Sequence, residues 1–184
     1  MKAVLISIRP KWCELIASGK KTIEVRKTRP KMEPPFKCYI YCTSGWGMLY
    51  GVNGVVQPLG EMTLDLKQNN VVNELNESII GEFTCRKIEA FWVDNTFDSA
   101  LLSRESGVSR NELRVYSQPK DYVYGWHISD LVIYDKPKEL SEFKGVCKRT
   151  YCYQNCEKYS TCRASCKYII SRPPQQWMYV EELE

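Results

Sequence analysis

The segment 21–27 alternates apolar and polar side chains, and this alternation constrains the fold more than any other feature of the sequence. In a β-strand successive side chains point to opposite faces, so Ile23 and Val25 share one face while Glu24 and Arg26 share the other. The apolar face predicts packing against a core. The polar face sets a carboxylate beside a guanidinium. Such a pair is either a solvated ion pair of little energetic value or the lining of a polar cleft that holds a ligand.

Charge is distributed unevenly along the chain, with a positive excess around this segment. Residues 1–40 contain ten Lys or Arg and three acidic residues, whereas the rest of the chain contains sixteen basic and nineteen acidic residues. The formal net charge of +4 therefore combines a balance of +7 in the first part with −3 in the remainder. A local positive field favours a partner that carries phosphate.

Size and composition predict an ordinary globular protein. A chain of 184 residues is long enough for one domain with a small appendage, and it can bury a core without disulfides. The sequence contains no apolar stretch of the length that a membrane helix needs, so we expect no membrane partner. Its first ten residues are too short for a signal sequence and are typical of a buried strand. We therefore expect a cytoplasmic protein.

Periodicity and turn residues predict a chain made mostly of strands. A helix should begin at Pro10 and be stopped by Gly19, because these residues suit the two ends of a helix. Two further helices are predicted over 97–105 and 109–117, the second from a capping-box pattern. Strands are predicted over 2–8, 21–27, 36–43, 79–93, 126–134 and 176–181. Residues 44–76, with five glycines, are interpreted as a long flexible loop with an uncertain hairpin, and Gly81 as a bulge.

The order of these elements contains too few helices for a doubly wound fold. It is typical of an α+β protein built on a mostly antiparallel β-barrel with flanking helices. We place the barrel in residues 1–143, a Cys-rich module in 144–172, and a C-terminal strand that returns to the barrel in 173–184.

The motif on the predicted second strand resembles that of a known family. Gly19 is followed by Lys21, Glu24 and Arg26 directly after a strand–helix pair, and segments 36–43, 81–83 and 124–131 add to the likeness. In these features the chain resembles the ASCH domain family of the PUA-like superfamily of β-barrels, over roughly residues 1–143. The resemblance implies a PUA-like barrel with a cleft for RNA or a nucleotide, lined by the charged residues of the motif.

The resemblance also raises the question of catalysis. Some ASCH relatives are amidohydrolases that remove an acetyl group from modified cytidine, and some are reported as nucleases. The amidohydrolases match this chain at Lys21 but carry threonine where this chain has Glu24. Their catalytic glutamate could correspond to Glu61, Glu74 or Glu82. The motif therefore supports nucleotide binding more firmly than it supports catalysis.

Two sets of roles follow for the residues of the predicted cleft. If the protein is a hydrolase of a nucleoside amide or of RNA, Lys21 and Glu24 are the candidate acid–base pair. If it is a binding protein, Glu24 accepts from a base amino group and Arg26 holds a phosphate or a carbonyl. The other candidate ligand-binding residues are Lys20, Tyr41, Tyr124 and Trp126. The three aromatic residues are candidates to stack a base, with core packing favoured for Trp126.

Four of the nine cysteines follow a symmetric spacing near the C-terminus. They are Cys152, Cys156, Cys162 and Cys166, and we refer to them as the tail cysteines. Four thiolates suit a tetrahedral structural zinc ion, which is the predicted cofactor. Disulfides between the outer and the inner pair, or an iron–sulfur cluster, are the alternatives. Basic and aromatic residues between these cysteines could extend an RNA surface, or the module could be a stabilising lid.

The remaining candidates have ordinary structural explanations. His127, which is the one histidine of the chain, is expected to be structural. Four further cysteines lie on predicted elements and are expected to be core thiols: Cys13, Cys38, Cys42 and Cys85.

Overall fold

The computed structural model describes residues 1–45, 49–52, 55–58, 72–146 and 170–183. The helices in this part are α1 (Pro10–Ala17), α2 (Thr96–Ser106) and α3 (Arg110–Ser117), with a single 3-10 turn at Leu140–Glu142. The strands are β1 (Lys2–Ile8), β2 (Ile23–Arg26), β3 (Phe36–Cys42), β4 (Leu49–Val52), β5 (Val55–Pro58), β6 (Val72–Glu74), β7 (Ser78–Trp92), β8 (Tyr122–Lys138) and β9 (Trp177–Glu181). None of the helices in these ranges is long and apolar enough to cross a membrane.

Six of the strands form one mixed sheet in the order β2-β8-β7-β3-β1-β9. The β1–β3 pair is parallel, and the other neighbours in this sheet are antiparallel. This architecture agrees with the predicted α+β class and with a mostly antiparallel sheet. Most of the predicted Cys-rich module, residues 147–169, lies outside the described residues.

A second sheet occupies part of the segment that was predicted to be a long loop. Its order is β5-β4-β6, with both pairs antiparallel. The uncertain hairpin corresponds to β4 and β5, but the third strand was not predicted. This segment contains several glycines, and glycine has a low strand propensity, so a loop was predicted from the sequence. The strands form because they pair with one another, which local sequence does not indicate.

The edges of the large sheet, β2 and β9, are joined by side chains rather than by a ladder of backbone hydrogen bonds. Arg26 Nη2 on β2 donates to the carbonyl oxygen of Ser7 on β1 at 2.6 Å. Trp177 Nε1 on β9 donates to Thr28 Oγ1, just beyond β2, at 3.0 Å. These two side-chain hydrogen bonds link β2 to β1, and the residues just after β2 to β9, so the two edge strands of the sheet lie close together.

The alternation predicted for β2 is confirmed, but the environment of its polar face is not the solvent. Ile23 and Val25 pack into a cluster with residues of β7, β8, α2 and α3. Glu24 and Arg26 point to the opposite side and are buried as well. Strand β2 thus has an apolar cluster on one face and two buried charged side chains on the other.

Strand β8 is longer at both ends than the predicted strand 126–134. It starts at Tyr122 and continues past Pro137 to Lys138, although Pro137 was expected to end it. The earlier start was missed because Gly125 resembles a strand break. In the structure a Cβ atom at Gly125 would lie 2.5 Å from the Phe91 ring and 2.8 Å from Ile23, so glycine permits a close approach there.

The predicted helix ends and the predicted bulge are present. Gly19, after α1, has φ +72°, and Ser109 and Glu112 form the capping box of α3. The register of β7 shifts between Ile79 and Gly81 against β8, and a matching shift occurs against β3, which confirms the predicted bulge. Gly107 ends α2 with φ +71°, and this helix end is part of the site described next.

Candidate functional site

Lys21, Glu24 and Arg26 form a buried ionic group, which we call the charged cluster. Glu24 Oε1 lies 2.9 Å from Arg26 Nη2, and Glu24 Oε2 lies 3.3 Å from Lys21 Nζ. The exposed fractions of the three residues are 2% for Lys21, 5% for Glu24 and 8% for Arg26. A solvated surface pair is thus excluded, and the carboxylate bridges two cations inside the protein.

Main-chain carbonyls from distant parts of the chain hold the two cations in place. Lys21 Nζ donates to the carbonyl oxygen of Ser106 at 2.9 Å, at the C-terminal end of α2, where the helix dipole favours a positive charge. Arg26 donates to Ser7, as described above. Neither carbonyl has a signal in the sequence, because any residue type offers one. The cluster is therefore assembled by the fold rather than by the motif alone.

The charged cluster contains two basic side chains and one carboxylate, and burial affects the groups around it. Burial lowers the pKa of Lys21, and the neighbouring Glu24 carboxylate opposes this change. Burial also raises the pKa values of Cys13 and Cys38 well above those of ordinary thiols, so both are neutral near pH 7. With Lys21 protonated, the cluster contains two cations and one anion.

Two hydrogen-bond donors beside this cluster have no partner. Arg26 Nε and Trp126 Nε1 are the buried side-chain donors without a hydrogen bond in the described part of the chain. Trp126 lies directly opposite Glu24 in the β2–β8 pairing, so both side chains point to the same face of the sheet. An unpaired buried donor costs about 1–3 kcal/mol and is uncommon in native structures. The site therefore offers two N–H groups to an acceptor.

The structure brings some of the other predicted ligand-binding residues to this site. Tyr124 lies opposite Arg26 in the pairing and is half-buried, whereas Lys20 is exposed next to Lys21. Trp126 is fully buried, and its ring packs between those of Phe36 and Trp177 with both centroid distances at 5.9 Å. Trp126 is thus a core residue with an unpaired N–H group rather than an exposed stacking platform.

Tyr41 is not brought to the charged cluster. It is buried with Tyr39, Ile79 and Phe143 on the opposite face of the sheet. Side chains alternate between the two faces along β3, so Tyr41 points away from Cys38, which packs on the same side as Trp126.

Of the three candidate catalytic glutamates, the two that the structure describes, Glu74 and Glu82, do not lie with Lys21. Glu82 lies on the face of Tyr39, its partner in the β3–β7 pairing, and it is bound to Lys37 at 2.8 Å and to Tyr134 at 2.5 Å. Glu74 is exposed on β6, and Glu61 falls outside the described residues. Burial raises the pKa of Glu82, but the hydrogen bonds from Lys37 and Tyr134 outweigh this effect, so the pKa is lowered.

His127 and the cysteines have the following positions. His127 Nε2 lies 2.7 Å from Glu89 Oε2, and His127 is paired in register with Ile23, on the face opposite to Glu24. The predicted core thiols Cys13, Cys38, Cys42 and Cys85 are free and buried. The tail cysteines lie outside the described residues, and within those residues no three His, Cys, Asp or Glu side chains are grouped so as to hold a metal ion.

Comparisons with known proteins agree with the motif and the fold. The sequence profile of the ASCH domain matches residues 6–69, which include the whole charged cluster. Over residues 6–69 the chain is therefore similar to the ASCH domain family. No curated protein matches the chain in sequence.

Solved structures of an ASCH protein from Zymomonas mobilis have the same fold. One matches with a TM-score of 0.52 and 19% identity, covering 98% of this chain and 88% of the other. A serine-to-alanine mutant of that protein matches with a TM-score of 0.56 and 18% identity, covering 98% and 89%. A tyrosine-to-phenylalanine mutant gives 0.53 and 19%, covering 99% and 92%. At this identity the likeness shows the fold alone.

Proposed function

We propose that this protein binds RNA or a modified nucleotide at the charged cluster. The observation that carries the proposal is the pair of unpaired buried donors, Arg26 Nε and Trp126 Nε1, next to a cluster with excess positive charge. A phosphate or a base carbonyl supplies the acceptor that these N–H groups lack, and the phosphate also supplies the missing negative charge.

A nucleotide would also use the remaining capacity of Glu24. Each carboxylate oxygen can accept two hydrogen bonds, so Glu24 can hold Lys21 and Arg26 and still accept from the amino group of a base. In this arrangement Arg26 and Trp126 read the acceptors of the ligand while Glu24 reads a donor. Such complementary recognition favours a nucleobase over a simple anion.

The ligand should approach from the Arg26 end of β2. Exposure rises along the cluster from 2% at Lys21 to 8% at Arg26, and the residue opposite Arg26, Tyr124, is half-buried. Glu24, by contrast, faces the fully buried Trp126. Tyr124 is therefore the residue of the predicted set that is best placed to stack on a bound base.

Fluorescence anisotropy with labelled single-stranded RNA tests this proposal. Affinity should fall with salt because bound phosphates release counterions. Arg26→Lys keeps the charge but removes the Nε–H group and the fork, and we expect about a tenfold or greater loss of affinity. Lys2→Ala, which removes an exposed charge on β1, is the control and should bind within about twofold of the parent protein. Equal affinity of a folded Arg26→Lys variant and the parent would refute the assignment.

One observation supports hydrolysis as a second candidate function. Lys21 has a lowered pKa and lies 3.3 Å from Glu24, as an acid–base pair acting on a bound water would require. Incubation with N4-acetylcytidine and with RNA separates the two functions. Turnover that Lys21→Met abolishes would support catalysis, whereas binding without turnover would leave the protein a binding module.

A further inference from the structure

Three aromatic side chains line the surface where β7 and β8 meet at the end of the sheet. We call Trp92, Tyr122 and Tyr124 the aromatic strip. Trp92 is paired in register with Tyr122, with ring centroids 5.3 Å apart, and the rings of Tyr122 and Tyr124 are 5.7 Å apart. Trp92 is 55% exposed and both tyrosines are half-buried.

The strip and the charged cluster lie on the same face of the sheet. Tyr122, Tyr124 and Trp126 alternate along β8, and the last two are paired with Arg26 and Glu24 on β2. A single row of side chains therefore leads from the buried cluster to the exposed strip. Tyr124 and Trp126 were predicted from the sequence as candidate ligand-binding residues, but Gly125 concealed the continuation of the alternation to Tyr122.

Core packing does not account for the exposed end of this row. The opposite face of the same strands, with Phe91 and Val123, packs against α2 and α3. Trp92 points away from that cluster and leaves more than half of its surface in solvent. Contiguous exposed aromatic surface of this kind is typical of a binding site.

Positive charges flank the strip. Lys120 Nζ lies 5.8 Å from the centroid of the Tyr122 ring. The hydrogen bond with Tyr122 raises the pKa of Tyr124, and the positive charges of Arg29 and Lys120 oppose this rise. Arg29 and Lys120 are both exposed. Aromatic platforms interleaved with exposed cations are the combination that holds single-stranded nucleic acid, since rings stack on bases while cations contact phosphates.

We infer that the aromatic strip binds the bases of a single-stranded RNA that continues outward from the nucleotide held at the charged cluster. This inference rests on the proposed function and extends it from one nucleotide to a strand. Tyr124 serves the nucleotide at the charged cluster, and the rings of Tyr122 and Trp92 are available to about two further bases. A protein partner would not require the two flanking cations, so RNA binding that is unchanged in the strip variants would indicate a protein partner instead.

The experiment compares ligands of increasing length on the full chain. Cytidine 5′-monophosphate and labelled RNA oligonucleotides of two, four and six residues are titrated against the parent protein, Trp92→Ala, Tyr122→Ala and Arg26→Lys. We expect affinity to rise with length up to about four residues. Each strip variant should weaken binding of the six-residue RNA about fivefold or more and leave monophosphate binding unchanged. Trp92→Phe should retain most of the affinity because it retains a ring.

Controls keep the outcomes distinct. Val115→Ala removes another exposed apolar side chain, 75% exposed on α3, and should bind RNA as the parent does. If the parent binds the monophosphate but longer RNA binds no tighter, or if strip variants bind all ligands as the parent does, the strip inference is wrong while the proposed function stands. The latter result would leave the strip to a protein partner. If the strip variants weaken binding of the monophosphate and of every RNA length equally, the strip inference is also wrong. If no ligand binds the parent protein, both proposals fail.

Discussion

Replacing Glu24 by Gln should strongly destabilise the protein, because it removes the one carboxylate of the charged cluster. Glu24 is the one anion between Lys21 and Arg26, and it contacts both through different oxygens, at 3.3 Å and 2.9 Å. Gln has nearly the same shape but no charge. Its amide NH2 group would face one of the two cations, so that cation would lose its partner.

The size of the effect follows from these distances. At an effective dielectric constant of about 20, each contact corresponds to about 5 to 6 kcal/mol of Coulomb energy, most of which offsets the desolvation of the charges. Removing one member of a buried ionic group costs about 3–5 kcal/mol, since the remaining charges stay buried without compensation. Loss of a proton from Lys21, whose pKa is already lowered by burial, limits the cost. We therefore expect Glu24→Gln to lower the free energy of unfolding by about 3–5 kcal/mol.

Urea unfolding of five proteins checks this magnitude: the parent, Glu24→Gln, Lys21→Met, the double variant of these two, and a control. Glu33→Gln, at an exposed position, is the matched control and should cost less than about 0.5 kcal/mol. The double variant Lys21→Met with Glu24→Gln restores the original excess of one positive charge and should be more stable than Glu24→Gln alone. A coupling energy above about 1 kcal/mol is expected for such contacts. If Glu24→Gln costs no more than Glu33→Gln, or if the effects of Lys21→Met and Glu24→Gln on the free energy of unfolding are additive, the buried carboxylate does not stabilise the fold through Lys21 and Arg26.

Three further predictions concern other parts of the chain. Gly125→Ala should cost about 1–3 kcal/mol in thermal or urea unfolding, because its Cβ would overlap the Phe91 ring, whereas Gly45→Ala, where the nearest atom is at 3.7 Å, should be nearly neutral. The lowered pKa of Glu82 means that its stabilising effect is complete above about pH 5 and is lost as pH falls through the folded-state pKa. The stability difference between the parent and Glu82→Gln should therefore shrink between about pH 5 and pH 3, and a constant difference would contradict this. Metal analysis and thiol titration of the purified protein should find about one zinc ion bound by the tail cysteines, and less than about half an ion per chain with free thiols would refute zinc.

The sequence predicts the face of each side chain in β2 but not its burial. Alternation places Ile23 and Val25 opposite Glu24 and Arg26, and the structure agrees. Burial depends on contacts with Ser7 and Ser106, which are distant in sequence and contribute only backbone carbonyls. No local pattern can specify such partners, so a strand with two charged side chains was also compatible with a solvated surface.

The same distinction explains the other differences between prediction and structure. The helices and their caps depend on residues within one turn, such as the Ser109–Glu112 capping box, and they were predicted to within a few residues. Strands β4 and β6 depend on pairing with each other, so the glycine-rich segment gave no sign of β6. Tyr41 was assigned to the ligand because it is aromatic and lies on a strand, but the parity of β3 sends it to the opposite face.

The polarity of the charged cluster is difficult to explain by stability alone. Apolar residues of similar volume in place of a buried ionic group are often neutral or stabilising, and Arg26 Nε and Trp126 Nε1 add the cost of two unpaired donors. The hydrogen bond that links β2 to β1 uses only the Nη2 atom of Arg26, so it does not require the unpaired Nε–H group. A ligand that binds the folded protein stabilises it by mass action, and one that offers an acceptor and a negative charge would offset the costs that the cluster imposes. The features that make the cluster unfavourable in the protein alone are therefore those that a bound nucleotide would satisfy.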